Sequence, residues 1–115
     1  MTYSYNRKIS IKMYRQIRIV DTDAIVYCWA KGRFANIAII SDNEEITTRL
    51  SLKELEALLC EDFFIRCHRC LLVNMQYVKT YDPGCKELIL ITDVKIKVSK
   101  LRVNLIRQYI GKHNK

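Results

Sequence analysis

The residues with the most chemical potential in this chain form one tetrapeptide, Cys67-His68-Arg69-Cys70. Two cysteines at this spacing, with a histidine between them, are typical of zinc ligands or of a redox pair. A structural zinc site needs four ligands, and the rest of the sequence supplies no second cysteine pair and only one other histidine, His113. A redox pair would be expected at a helix start in a βαβ context, which the preceding residues do not predict. We therefore interpret Cys67 and Cys70 as small packed thiols and expect neither a metal nor a cofactor. Stoichiometric zinc or a reversible disulfide in the purified protein would support the alternative, a metal or redox sensor.

Groups for catalysis are sparse elsewhere. His68 is the only histidine away from the C-terminus, so nucleophilic chemistry at a serine or cysteine has one candidate base. The carboxylates fall mostly in predicted turns or on a predicted helix without an evident pair for acid–base work, and there is no glycine-rich phosphate loop. The sequence indicates that the protein is not an enzyme and predicts no small-molecule substrate.

The remaining candidates are basic residues at three separate places in the chain. They share a predicted position in a loop or at the start of an element, where recognition residues tend to be placed. The set is Lys31, Arg33, Arg66, Arg69, Lys100 and Arg102. A helix N-terminus favours phosphate binding, which supports Lys100 and Arg102 as contact residues at the start of the last predicted helix. Arginine can also read guanine in a major groove. Each of these residues alone is more often a solvated charge.

Composition supports a polyanionic partner. The chain has 115 residues, which is one domain, and 20 basic against 12 acidic residues give a net charge of +8. Such an excess suggests nucleic acid or an anionic membrane surface. No N-terminal stretch has the pattern of a signal peptide, and no apolar run approaches the roughly 20 residues of a membrane span. With five cysteines in no regular framework, these features predict a cytoplasmic protein with free thiols.

Period-two alternation predicts that strands position the basic loops. We expect strands at residues 9–13 and 17–19, a hairpin at 25–40 with a basic tip around Gly32, and further strands at 45–48, 87–91 and 95–98. Phe63, Phe64 and the apolar run at 71–73 should anchor a rigid support around Arg69. The fold class is therefore predicted to be mainly β.

Two helices interrupt the strands. Ser51 and Glu54 form a capping box for a short central helix that should end near Cys60. Its predicted apolar face consists of Leu52, Leu55, Leu58 and Leu59. A C-terminal helix is predicted over 100–110, with Ser99 as its N-cap and Gly111 as its C-cap. The predicted apolar side of that helix consists of Leu101, Leu105, Ile106, Tyr109 and Ile110.

Four blocks of the chain resemble LytTR-type DNA-binding domains, a bacterial family. Residues 63–74 are similar to the family signature FFRIHRSYLVN, and residues 25–34 to its IxYIEAxGNY strand and loop. Residues 48–56 resemble its RxSLKELE helix, and residues 96–102 its IPVSRRR segment. The chain departs from the pattern at Cys28 and Trp29, at Cys70 and at Leu101. On this basis residues 1–8 are interpreted as a lead-in or linker, and residues 9–115 as a LytTR-like domain.

The resemblance implies an elongated fold of short antiparallel sheets with one short central helix and a C-terminal helix. It also implies sequence-specific binding of double-stranded DNA in a transcription regulator, by loops inserted into successive grooves. Many members carry a receiver domain as response regulators of two-component systems, and many bind repeated half-sites as homodimers.

Carried across by position, the family's DNA contacts fall in three loops. The residues are Arg33, Phe34, Arg69, Lys100 and Arg102, with His68, Arg66 and Phe64 in support. Lys31, a member of the basic set on the same hairpin tip as Arg33, is added to the predicted DNA contacts. Phe34 suits base contact and hairpin packing equally, His68 is interpreted first as holding the turn, and which of Lys100 and Arg102 reads a base stays open. The alternative function is a protein-interaction module that docks an acidic or membrane-bound partner.

Overall fold

A computed structural model describes residues 7–41 and 44–113 of the chain. Most of the predicted lead-in, residues 1–6, lies outside the described residues, as do the last two residues. Within the described ranges the strands are β1 (Lys8–Lys12), β2 (Ile17–Asp21), β3 (Ile25–Lys31), β4 (Phe34–Ile39), β5 (Glu44–Thr48), β6 (Phe64–His68), β7 (Leu71–Asn74), β8 (Val78–Asp82), β9 (Glu87–Leu90) and β10 (Lys95–Lys97). The α-helices are α1 (Leu52–Leu58) and α2 (Val103–His113), and single 3-10 turns lie at Thr22–Ala24, Met75–Tyr77 and Lys100–Arg102. The mainly-β prediction with two helices is confirmed.

The strands form three antiparallel sheets. A central sheet has the order β5–β4–β3–β7–β6, a β1–β2 hairpin forms a second sheet, and β10–β9–β8 forms a third. The described part of the chain measures 43 × 42 × 24 Å along its principal axes. None of the described helices is long and apolar enough to cross a membrane.

The central sheet is buried on both faces because its side chains alternate between two cores. Ile37, Ile46 and Leu72 face a core that the β1–β2 hairpin and α1 cover. Val73 faces the other way, into a core closed by the third sheet and by Ile106 of α2. This two-sided burial makes the central sheet a rigid frame for the loops at its ends.

The first helix begins as predicted and ends slightly earlier. The Ser51 hydroxyl accepts a hydrogen bond from Glu54 N–H, and the Glu54 carboxylate accepts one from Ser51 N–H, which completes the capping box. Leu52, Leu55 and Leu59 are buried. The prediction for Leu58 is wrong, since its side chain is 37% exposed where the helix ends.

The C-terminal helix differs from its prediction in four respects. Ser99 occupies the N-cap position, but its side chain makes no capping hydrogen bond. The residues Lys100–Arg102 form a 3-10 turn, which has about three residues per turn. Leu101 is therefore out of phase with the buried Ile106, and its side chain is 92% exposed. Leu105 and Ile110 are exposed as well. Gly111 is not a C-cap and lies within α2.

The additional helical residues beyond Gly111 are held by a local contact. The His113 ring stacks on the Tyr109 ring with centroids 4.1 Å apart, and His113 Nδ1 lies 2.9 Å from the Tyr109 carbonyl oxygen. These contacts span one helical turn, and the glycine between them does not end the helix.

Candidate nucleic-acid interface

Strand pairing brings two of the predicted loops together. Trp29 of β3 pairs with Leu71 of β7, and Ala30 N–H donates to the Cys70 carbonyl over 3.0 Å. The end of β3 therefore lies beside the start of β7, and adjacent strands are about 4.8 Å apart. The tips of the β3–β4 and β6–β7 hairpins consequently lie side by side at one end of the central sheet.

The third loop is tied to the second by hydrogen bonds. Ser99 N–H donates to the Cys67 carbonyl over 2.9 Å, and Arg102 Nη1 donates to the Arg66 carbonyl over 3.2 Å. The 3-10 turn at Lys100–Arg102 is thus held against the outer edge of β6. We call residues 31–34, 66–70 and 99–102 together the basic end of the molecule.

The tip of the β3–β4 hairpin is tight and cationic. Gly32 has a φ of +63°, a left-handed conformation that glycine adopts without steric cost, and Lys31 pairs with Phe34 across the turn. The Arg33 guanidinium carbon lies 5.6 Å from the centroid of the half-buried Phe34 ring, within cation–π range. Phe34 therefore orients Arg33 while part of its ring remains exposed.

Arg66 is committed to holding the β6–β7 tip. Its Nε donates to the carbonyl of His68 at 3.2 Å, and its Nη2 donates to that of Arg69. Its Nη1 donates to the Glu56 carboxylate of α1 at 2.7 Å, and the side chain is only 17% exposed. These are contacts of a supporting residue, and a guanidinium so occupied has little capacity left for a ligand.

His68 also acts within the tip. Its Nδ1 accepts a hydrogen bond from Cys70 N–H at 3.1 Å, which spans the turn that carries Arg69. The buried Phe64 and the half-buried Phe63, with ring centroids 4.9 Å apart, lie at the other end of β6. Phe64 therefore anchors the strand at the end away from the tip.

Four cations of the basic end have no acidic partner in the part of the chain that the structure describes. Lys31, Arg33, Arg69 and Lys100 are exposed, and none of them forms a salt bridge within the described ranges. Arg102 differs because it is half-buried and bonded to the Arg66 carbonyl. The geometry therefore favours Lys100 over Arg102 as the residue of the third loop that is available to a ligand.

The two thiols of the Cys67-His68-Arg69-Cys70 sequence differ in their exposure to solvent. Cys67 is fully buried, and burial raises the pKa of its thiol to about 12, so it is protonated at neutral pH. Cys70 is partly exposed beside Arg69 and is a free thiol, as are the other four cysteines. In the described part of the chain no group of three or more potential metal ligands comes together.

Sequence reasoning missed one exposed side chain in this region. Leu101 was assigned to the apolar side of a helix, but it projects from the third loop between Lys100 and Arg102. The signal in the sequence is its position between two basic residues, Lys100 and Arg102, two residues after Ser99.

A rigid β scaffold with unpaired cations on three adjacent loops belongs to the class of modules that bind a polyanion. The family model of the LytTr DNA-binding domain matches residues 15–111. The chain belongs to this family, so the suspected resemblance is confirmed, and membership in a family of DNA-binding domains supports a non-enzymatic role.

Individual relatives agree with the family assignment. The chain is 37% identical over 76 residues to the sensory transduction protein LytT of Oceanobacillus iheyensis, covering 66% of this chain and 30% of that protein. It is 24% identical over 110 residues to the transcriptional regulatory protein NatR of Bacillus subtilis, covering 92% of this chain and 46% of that protein. The chain thus spans less than half the length of these relatives.

A solved structure has the same fold. The LytTr DNA-binding domain of a putative methyl-accepting/DNA response regulator from Bacillus cereus superposes with a TM-score of 0.74 at 26% identity. The match covers 90% of this chain and 96% of that one.

Proposed function

We propose that this domain binds double-stranded DNA sequence-specifically, by inserting the loops of the basic end into successive grooves. The observation that carries the proposal is the row of four exposed cations, Lys31, Arg33, Arg69 and Lys100, which have no acidic partner among the described residues. Their loops are fixed by backbone hydrogen bonds to a two-sided core, so little ordering entropy is lost when DNA binds.

The proposed roles differ among these residues. Arg69 projects from the centre of the row on a tip held by Arg66 and His68, and it is the proposed central base reader. Arg33 is the base reader proposed for the first loop, with Phe34 orienting it, and Lys31 is proposed to bind phosphate. In the third loop we assign the contact to Lys100, with Arg102 supporting the backbone of β6.

In the whole protein, we propose that the domain is the output part of a bacterial transcription regulator in the cytoplasm. The names of its relatives, a sensory transduction protein and a transcriptional regulatory protein, support this role, and both are more than twice the length of the aligned region. A receiver domain or a membrane-bound regulator would then supply the signal. Two copies are proposed to bind repeated half-sites about one helical turn apart, which places both on one face of the duplex.

The test starts with selection of bound duplexes from a random DNA pool. Fluorescence anisotropy then compares the selected duplex with a shuffled one for the wild type, Arg69→Ala and a control, Lys79→Gln. Arg69→Ala should cost about 1–3 kcal/mol on the selected duplex and relax discrimination at one base pair. Lys79, which pairs with Asp93 at 2.5 Å in the third sheet, should be replaceable without effect.

Two results would contradict the proposal. Unchanged discrimination in Arg69→Ala would remove the central-reader assignment. If the wild type bound no duplex even at low salt, the protein-interaction module would become the better hypothesis. Sedimentation of the protein with one-site and two-site duplexes tests the dimer, since two copies should bind only the duplex with both repeats.

A further inference from the structure

The tip of the β1–β2 hairpin is a second basic surface that lies at the same end of the molecule. The turn is closed by a hydrogen bond from Met13 N–H to the Gln16 carbonyl at 2.8 Å. It presents Tyr14, which is 77% exposed, and Arg15, whose guanidinium carbon lies 5.5 Å from the Tyr14 ring centroid. The three loops already described do not include these residues.

Hydrogen bonds fix this tip to the end of the central sheet. The Lys12 carbonyl accepts from Thr48 Oγ1 at 2.7 Å and from Arg49 N–H at 2.8 Å. Thr48 ends β5 and pairs with Ala35, the residue after Phe34 at the start of β4. The hairpin tip and Arg49 therefore lie beside the first loop of the basic end, on the side opposite the second and third loops.

The cations at this place have no acidic partner among the described residues, like the four exposed cations of the basic end. Arg15 and Arg49 are exposed and take part in no salt bridge of the described residues. Glu54 is close enough to Lys12 for an electrostatic interaction, but its carboxylate already accepts a hydrogen bond from Ser51 N–H in the capping box. Three positive side chains, Lys12, Arg15 and Arg49, thus surround one open depression with Tyr14 and Gln16.

The dimensions fit an extended contact with a duplex. Tips of hairpins two strands apart are separated by about 10 Å, so the three loops of the basic end cover about 20 Å. The β1–β2 tip, hydrogen-bonded to the end of β5, extends the row by about another 10 Å. The resulting row of about 30 Å is close to one turn of B-DNA, about 34 Å.

We propose that the β1–β2 tip and Arg49 form a fourth DNA contact, in which Arg15 and Arg49 bind backbone phosphates beyond the base pairs that the three loops read. The contact is assigned to phosphate because the cations are exposed at the margin of the row, where they meet the duplex backbone rather than a groove floor. This inference rests on the proposed DNA-binding function. It predicts a contribution to affinity that is independent of sequence.

The test uses the selected duplex and a shuffled one with the double variant Arg15→Gln/Arg49→Gln. Each phosphate contact contributes about 0.9 to the magnitude of the slope of log affinity against log salt. Loss of two such contacts should therefore reduce the slope by about 1.8. Affinity for both duplexes should fall by the same factor, so the ratio between them should not change. The charge-preserving Arg15→Lys/Arg49→Lys variant should retain most of the slope. Lys8→Gln serves as the matched control, since Lys8 lies at the other end of the same hairpin and pairs with Asp21.

A truncation series locates the contact. Removal of flanking base pairs from one side of the selected site should weaken the wild type and leave the double variant unaffected. An unchanged salt slope in the glutamine variant would overturn the inference, as would a fall in the selected-to-shuffled ratio. Absence of wild-type binding to every duplex would instead refute the proposed function itself. Circular dichroism melting confirms that each variant is folded, which is expected because both arginines are exposed.

Discussion

The two ends of the central sheet carry their positive charges in opposite situations. At the basic end, Lys31, Arg33, Arg69 and Lys100 are exposed and have no acidic partner within the described ranges. At the opposite end, Arg7 is bound to Glu61, which precedes β6, and Lys8 is paired with Asp21. The same residue types thus stabilise the fold at one end and remain available to a ligand at the other.

Even within the basic end the two uses of arginine are separate. Arg66 and Arg69 are three residues apart, but Arg66 bonds to the carbonyl of Arg69 and to Glu56, whereas Arg69 projects outward. An exposed cation needs a rigid support if its position is to match a groove, and Arg66 supplies that support. The difference shows that charge alone does not identify a contact residue; the hydrogen-bond partners of the side chain do.

Charge reversal should have its largest effect at the unpaired end. Arg33→Glu replaces an exposed cation with an anion facing the duplex, and affinity should fall about 30- to 150-fold, or about 2–3 kcal/mol. Lys79→Glu makes the same change in charge in the third sheet and should have a far smaller effect. Anisotropy at one fixed salt concentration measures both, and equal losses would mean that net charge matters rather than the basic end.

Arg66→Met should destabilise the fold by about 2 kcal/mol. The substitution preserves much of the apolar stem but removes the donors to the carbonyls of His68 and Arg69 and the partly buried pair with Glu56. Urea denaturation followed by circular dichroism measures the change. Arg69→Met is the control. The Arg69 side chain is exposed and forms no such bonds with the described residues, so the urea midpoint of this variant should match that of the wild type.

The elements that the sequence predicts correctly are those set by local patterns. Strand alternation, the Ser51 capping box and the tip at Gly32 are local patterns, and the observed elements follow them. The family resemblance located the three loops, and strand pairing places them together at one end of the sheet. Whether each candidate residue contacts DNA remains a prediction.

Other features depended on contacts between distant residues. The hydrogen bond from Arg102 to the Arg66 carbonyl separates Arg102 from Lys100, and no local pattern indicates it. The position of Arg15 and Arg49 beside the first loop depends on bonds between Lys12 and residues 48–49. Leu101 was misplaced because helical periodicity was extended into a 3-10 turn.

The paired end should give stability a dependence on pH through Glu61. Hydrogen bonds from Arg7 hold the pKa of this carboxyl below its ordinary value of 4.5. Partial burial raises the pKa and so opposes this effect, while a hydrogen bond from Thr22 lowers it further. A depressed pKa means that the stabilisation is fully present above the unfolded-state pKa and is lost as pH falls through the folded-state pKa. Glu61→Gln should therefore lower the free energy of unfolding at pH 7 by about 1 kcal/mol, a value reduced for partial solvent screening.

Denaturation of the wild type and Glu61→Gln from pH 7 down to pH 3 measures this dependence. The difference between the two proteins should shrink as the pH falls below the ordinary carboxyl pKa. A difference that stayed constant over this range would show that the loss comes from altered packing and that ionisation of Glu61 contributes nothing.

The smallest expected effect on stability is that of Leu101→Ser. Because the side chain is 92% exposed and lies outside both hydrophobic cores, the free energy of unfolding should change by no more than about 0.5 kcal/mol. Ile106→Ser, five residues later at a fully buried position of α2, should lose several times more. Denaturant titration of the two variants separates a loop residue from a helix-packing residue. A large loss for Leu101→Ser would return it to the core, whereas unchanged stability with weaker binding to the selected duplex would make it a DNA contact.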